Sequence, residues 1–195
     1  MTKEFHQAGG EIVSSIETVK NQDVFQPVVA RLTTAAPDVT FLFLYARDAG
    51  ICIKEAARQG IQTAFVGTDN FTGSELPEAA GSAIEGVMYA VPKSGAPTAK
   101  AAVLRSMYQR KFGAGKEPSL FTVQGYDVIH VLAKAIDATN ADVDASIAYL
   151  EKLKHDGAGG AIAFNAEHEL ANTSYQLLVF RRTPTGVVAG PLERK

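Results

Sequence analysis

The stretch VTFLFLYARDAGICIKEAARQGIQTAFVGTD, residues 39–69, changes its hydrophobic period twice. Val39 to Tyr45 is a continuous apolar run, the pattern of a strand buried on both faces of a parallel sheet. Ala49, Cys52, Ile53, Ala56 and Ala57 then recur at i, i+3, i+4, i+7 and i+8, one stripe of an amphipathic helix, and Gly60 stands where a helix C-cap glycine belongs. Thr63 to Val66 is a second short strand. Strand, helix and strand within some thirty residues make a βαβ unit, whose crossover is right-handed and whose strands are parallel.

The same alternation extends in both directions. Upstream, Glu11 to Val19 suits a strand, and Val28, Val29 and Leu32 mark one face of a helix that stops before Pro37-Asp38. Downstream, Thr72-Gly73-Ser74-Glu75 has the spacing of a capping box and opens a short helix, and Val87 to Val91 is another strand. The series βαβαβαβ predicts an α/β fold with a doubly wound parallel sheet. Thr2 to Ala8 reads as a helix with no strand before it, as though the first strand of the layer were missing. Residues 93–98 have linker composition, and the character changes beyond them. Ala99 to Phe112, Ser119 to Ala138 and Asp144 to Leu153 read as three helices, followed by strands at Ala161 to Phe164 and Tyr175 to Arg181.

A chain of 195 residues that is 46% hydrophobic can bury a substantial core. Its 19 basic and 21 acidic residues are mixed along the sequence, giving a formal net charge of −2, so there is no basic footprint for nucleic acid. No apolar run approaches the ~20 residues of a membrane helix. Residues 1–20 lack the basic start, apolar stretch and cleavage site of a secretory signal. Cys52, the one cysteine, reads as a small buried apolar residue.

Chemistry has few footholds. His6, His130, His155 and His168 are scattered, without partners at ligand spacing, so no metal or other cofactor is expected. There is no G-x-S-x-G elbow and no catalytic carboxylate pair, so no catalytic residue is assigned. Gly157 to Ala161, GAGGA, has the composition of a phosphate loop but runs from helix into strand. A phosphate cradle needs the reverse order, and this segment is read as a turn. The strand ends remain, because ligands of open parallel sheets bind beyond the carboxyl ends of the strands. Tyr45 and Thr68-Asp69 occupy two such ends, where a phenol and a carboxylate reach one small cationic group. An Asx-turn at Asp69 and a merely packed Tyr45 are the plain alternatives.

FHQAGGEIV (5–13), VVARLTTAAPDVTFLFLYARDAGICIKEAARQGIQTAFVGTD (28–69), AAGSAIEGVMYAVP (79–92), YQRKFG (108–113), GYDVIHVLAKAI (125–136) and LEKLKHDGAGGAIAF (150–164) follow in an order that resembles type I periplasmic substrate-binding proteins of ABC transporters, in the leucine/isoleucine/valine-binding group. The resemblance implies that residues 1–92 and 160–182 form most of the second α/β lobe. It implies that 93–159 are helices completing the first lobe and that 183–195 are a tail. The first lobe's own sheet would lie upstream of Met1, so a truncated product or fragment is expected.

By position, Tyr45 resembles the family's cleft tyrosine and Asp69 its ammonium-binding acid, with Thr68 beside it. Phe121 resembles an aromatic wall of the side-chain pocket. Asp69 stands where branched-chain binders carry the longer glutamate. The resemblance implies a non-enzymatic, periplasmic solute-binding component for branched-chain or related small amino acids, working with an ABC permease when full-length. The alternative is a stand-alone interaction or sensory module of the same fold. A homodimer is expected through the apolar helices, and weak or absent solute binding without the missing lobe.

Overall fold

The computed structural model describes residues 2–93, 98–171, 173–184 and 186–192. Most of the linker read at 93–98 lies outside them. The chain divides into two compact units, one of Met1–Pro92 with Tyr175–Lys195, the other of Lys93–Ser174.

In the first unit, helices α1 (Thr2–Gln7) and α2 (Gln26–Ala35) precede strand β1 (Val39–Leu42), helix α3 (Ala46–Arg58), strand β2 (Ala64–Gly67), helix α4 (Glu75–Ala80) and strand β3 (Met88–Pro92). β1, β2 and β3 pair in parallel, with Leu42 opposite Gly67 and Gly67 opposite Tyr89. The α/β reading is therefore met. α3 buries Ala49, Cys52, Ile53 and Ala56 of the stripe read from sequence and leaves its last member, Ala57, exposed, and Gly60 follows the helix at φ +71°. The core gathers Phe25, Val29, Ile53, Phe71, Leu76 and Ile84.

The sequence reading needs correction in five places. Residues 11–19 form no strand, so β1 is the sheet edge, with Val39, Phe41 and Phe43 39%, 40% and 64% exposed. Apolar spacing marks which side chains seek cover, but only a neighbour's backbone makes a strand. The capping box at 72–75 is not made: Ser74 is the N-cap without a side-chain bond, and the Thr72 hydroxyl donates instead to the Asp69 carbonyl at 2.7 Å. Residues 186–191, read as part of a tail, form a strand. The last two strands of the chain, Tyr175–Thr183 and Gly186–Pro191, add to β3 in antiparallel fashion, so the sheet is not wholly parallel. Residues 160–174, expected to return to the α/β lobe, belong instead to the other unit.

That second unit contains helices α5 (Ala99–Phe112), α6 (Leu120–Thr139) and α7 (Val143–Glu151). Each starts with a capped turn: Thr98, Ser119 and Asp142 accept bonds from the amides of Ala101, Thr122 and Ala145. Two short antiparallel strands follow, β4 (His155–Asp156) and β5 (Ala161–Ile162), so the two long strands of the first unit are β6 (Tyr175–Thr183) and β7 (Gly186–Pro191). Gly157 to Gly160 make the turn between β4 and β5, as read, closed by the Gly157 amide donating to the Gly160 carbonyl at 2.8 Å. Asp127 of α6 is buried beneath this turn and accepts the amides of Ala158 at 2.6 Å and Gly159 at 2.7 Å. Buried His155 accepts at Nδ1 from the Lys134 ammonium, 3.0 Å away, because lysine can only donate. Its imidazole is therefore neutral with the proton on Nε2.

Candidate functional site

The carboxyl edge of β1 and β2 is built from two loops of the first unit. β1 ends at Leu42 and the chain reaches Tyr45, the extended N-cap of α3. β2 ends at Gly67, Thr68 remains extended, and Asp69–Phe71 form a single 3₁₀ turn. Since Leu42 and Gly67 are register partners, Tyr45 and Asp69 leave neighbouring strands at the same edge, and strands in a sheet lie ~4.8 Å apart.

The shape of the Asp69 turn is fixed by what lies under it. Phe71 is fully buried, 6.3 Å from the Tyr89 ring, which itself stacks on Phe180. Its ring occupies the space a Cβ would need at position 67, where a methyl would come within 2.1 Å of it. Glycine at 67 and phenylalanine at 71 are thus one device: the strand end is bare so that the ring can fold back. The amide and hydroxyl of Thr72 both close on the Asp69 carbonyl.

This arrangement leaves the polar groups of the two loops free. Asp69 and Thr68 are half-buried rather than fully exposed, and Tyr45 is 55% exposed. Among the described residues the Asp69 carboxylate, the Thr68 hydroxyl and the Tyr45 hydroxyl have no hydrogen-bond or ion-pair partner. A half-desolvated carboxylate with no partner favours a cation. Phe121, second residue of α6, is 47% exposed and belongs to the other unit.

Three neighbours were missed by the sequence reading. The Lys20 ammonium lies 4.4 Å from the centre of the Tyr45 ring. Asp48, in the first turn of α3, is buried and accepts the Asn21 amide at 2.8 Å, tying the 20–23 loop to the helix start. Arg47 pairs with Asp23, which raises the Arg47 pKa, and also approaches Asp48. The turn composition of KNQD, residues 20–23, was the available signal, since it too precedes a helix. Among the described residues no three His, Cys, Asp or Glu side chains cluster as metal ligands, and no helix is long and apolar enough to cross a membrane.

A family model described as periplasmic binding protein matches residues 1–183. The Leu/Ile/Val-binding protein homolog 2 of Brucella abortus (strain 2308) is 26% identical over 167 residues, covering 83% of this chain and 43% of that relative. A type 1 periplasmic binding protein from Bordetella pertussis Tohama I superposes with a TM-score of 0.82 at 22% identity, over 97% of this chain and 56% of its own. The solute-binding protein of an ABC transporter from Rhodopseudomonas palustris BisB5, solved with 3,4-dihydroxybenzoic acid, gives a TM-score of 0.69 at 25% identity, over 97% and 54%. The chain therefore spans about half the length of these proteins.

Proposed function

The chain belongs to the periplasmic binding protein family, and on that premise we propose that it is the solute-binding part of an ABC importer for branched-chain or related small amino acids. On this reading it acts in the periplasm with an ABC permease and catalyses no reaction. The observation that carries the amino-acid assignment is the unpartnered Asp69 carboxylate at the strand edge beside Tyr45. An ammonium group satisfies it, whereas an aromatic acid such as the one held by the R. palustris protein would meet a like charge. The name of the Brucella relative supports the same solute class. Aspartate is one methylene shorter than glutamate, which favours a ligand that sits deeper against β2.

A ligand at this edge keeps water on its free side, because Tyr45 is 55% exposed. Without closure the affinity of the 195-residue chain for leucine is expected no tighter than ~1 mM, about −4 kcal/mol. Titration of leucine into ¹⁵N-labelled protein tests the site. Shifts at Tyr45, Thr68 and Asp69 that disappear in Asp69→Asn support it. Absence of any shift at these amides with leucine at tens of millimolar overturns it, and micromolar affinity overturns the one-sided geometry.

A second observation favours self-association. Val128, Ile129, Leu132 and Ile136 of α6, Val103 and Met107 of α5 and Ile147 of α7 are 44–65% exposed. Soluble monomers rarely leave such a face bare, and at about 25 cal/mol per Å² its burial favours association by several kcal/mol before ordering costs. We propose a two-fold homodimer through these helices. Light scattering that finds a monomer at high micromolar concentration refutes it, and Ile129→Glu is expected to shift a dimer towards monomer.

A further inference from the structure

The β4–β5 hairpin is bonded to both long helices of its unit, and its two sides are built from opposite chemistry. On the α5 side, donors from outside reach the hairpin's carbonyls. The Thr98 hydroxyl, at the N-cap of α5, is shared between the Gly157 and Ala158 carbonyls at 3.2 and 3.3 Å, and the Lys100 ammonium donates to the Asp156 carbonyl. Lowering the pH takes no proton from a hydroxyl or an ammonium, so these links persist in acid.

On the α6 side the bonds are of another kind. Asp127 accepts the amides of Ala158 and Gly159, and Lys134, two turns further along the same helix face at ~10.5 Å, donates to Nδ1 of His155, 3.0 Å away. In this second bond the hairpin supplies the acceptor. An imidazole nitrogen accepts only while it is unprotonated. Protonated at Nδ1, His155 becomes a donor pointed at an ammonium that has no lone pair to offer. A single proton thus turns an attraction between β4 and α6 into a repulsion.

The surroundings oppose that proton while the hairpin is docked. His155 is 5% exposed. Among the described residues, the charged or titratable groups that face it are Lys134, His130 and Asp127 of α6 and Lys100 of α5. Asp127 is the acid in this set, and both its oxygens already hold amides of the turn. Lys154 and Asp156 flank His155 in the chain, and its strand partner β5 brings the uncharged Ala161 and Ile162. Burial first, then the two lysines, lowers the docked pKa from the ordinary 6.5, so an undocked hairpin takes up the proton at a higher pH than a docked one. Acid therefore favours the undocked form.

We propose that the β4–β5 hairpin is an acid-released clasp: it ties α6 to α5 while His155 is neutral, and protonation of His155 frees it from α6 while Thr98 and Lys100 keep it on α5. The helical unit thereby responds to the proton concentration of its surroundings through residues other than Tyr45, Thr68 and Asp69. The movement is local, because the bonds that change join one short hairpin to one helix face.

Amide hydrogen exchange on the 195-residue chain, followed by NMR as a function of pH, tests this residue by residue. The Ala158 and Gly159 amides are bonded to Asp127 and exchange when the hairpin leaves α6. Their protection, corrected for intrinsic exchange, is expected to be constant above pH 6.5 and to fall by up to ~10-fold per pH unit below it, while amides inside α6, such as those of Val131 and Leu132, keep theirs. In His155→Gln, whose side-chain carbonyl accepts from Lys134 without titrating, the protection stays flat. In Lys134→Gln, where no ammonium faces the imidazole, the fall is smaller. Flat protection in the unsubstituted protein overturns the proposal. A fall shared equally by the α6 amides also overturns it, because that is unfolding of the unit and not release of a clasp. A fall that survives His155→Gln, or one undiminished in Lys134→Gln, removes the His155–Lys134 pair as the switch and overturns it as well.

Discussion

Substituting Gly67 by alanine forces a methyl group to within 2.1 Å of the Phe71 ring, far inside contact distance. Phe71 is fully buried and has no room to rotate, with Tyr89 at 6.3 Å and Phe180 stacked behind it. Overpacking of this kind costs about 1–3 kcal/mol. Phe71→Ala leaves a ring-sized void in the same place and costs about 3–5 kcal/mol. If the two residues form one device, the costs do not add. In the double variant the new methyl enters the void, and its total is expected to match Phe71→Ala alone, a coupling of about 2 kcal/mol. Urea unfolding followed through the Tyr89 ring resonances reports on the first unit directly, because Tyr89 pairs with Gly67 across β2 and β3. Additivity within about 0.5 kcal/mol would refute the claim that the bare strand end exists to seat the ring.

Three further outcomes are expected. Burial first, then Lys134 and Lys100, holds the His155 pKa below its ordinary 6.5, so the unfolded chain takes up the proton more readily than the folded one. The second unit is fully stable above pH 6.5 and loses stability as pH falls from there through the folded pKa; a urea midpoint as flat with pH as that of His155→Gln would contradict this. Asp127→Ala strands two amides under the 157–160 turn and is expected to cost about 3 kcal/mol by chemical denaturation, a loss below about 1 kcal/mol showing that water replaces the carboxylate. Burial, and then Glu55, pushes the Cys52 thiol up to about 12, so a thiol reagent at pH 8 is expected to label it only on unfolding; rapid stoichiometric labelling of the native protein would count against its place in the core.

What the sequence announced was set by local chemistry. The stripe on α3, but for its last member Ala57, and the glycine after it appear where periodicity placed them, because a helix satisfies its own backbone and needs only one covered face. β1 was misjudged for the opposite reason. Its apolar run looks doubly buried, but a strand's cover comes from elsewhere in the chain, and Val39 and Phe41 lie at an open edge with Phe5 packed edge-on against Phe41. Tyr45 and Asp69 were legible as candidates because strand ends in parallel sheets are where loops converge. Lys20 was not, since nothing local links residue 20 to residue 45; the link is made by Asn21 reaching Asp48, 27 positions away.

The GAGGA turn was set aside as a phosphate cradle for its order of elements, yet its amides do hold an anion, the carboxylate of Asp127. Because that carboxylate is delivered by the same chain, it acts as a permanently tethered ligand, present at the high effective concentration of an intramolecular partner. A free anion would have to outcompete a guest that never leaves. The turn therefore behaves as a receptor sold together with its occupant, and vacating it by Asp127→Gly would create an acceptor that added acetate or formate could refill, restoring the β4–β5 hairpin from outside.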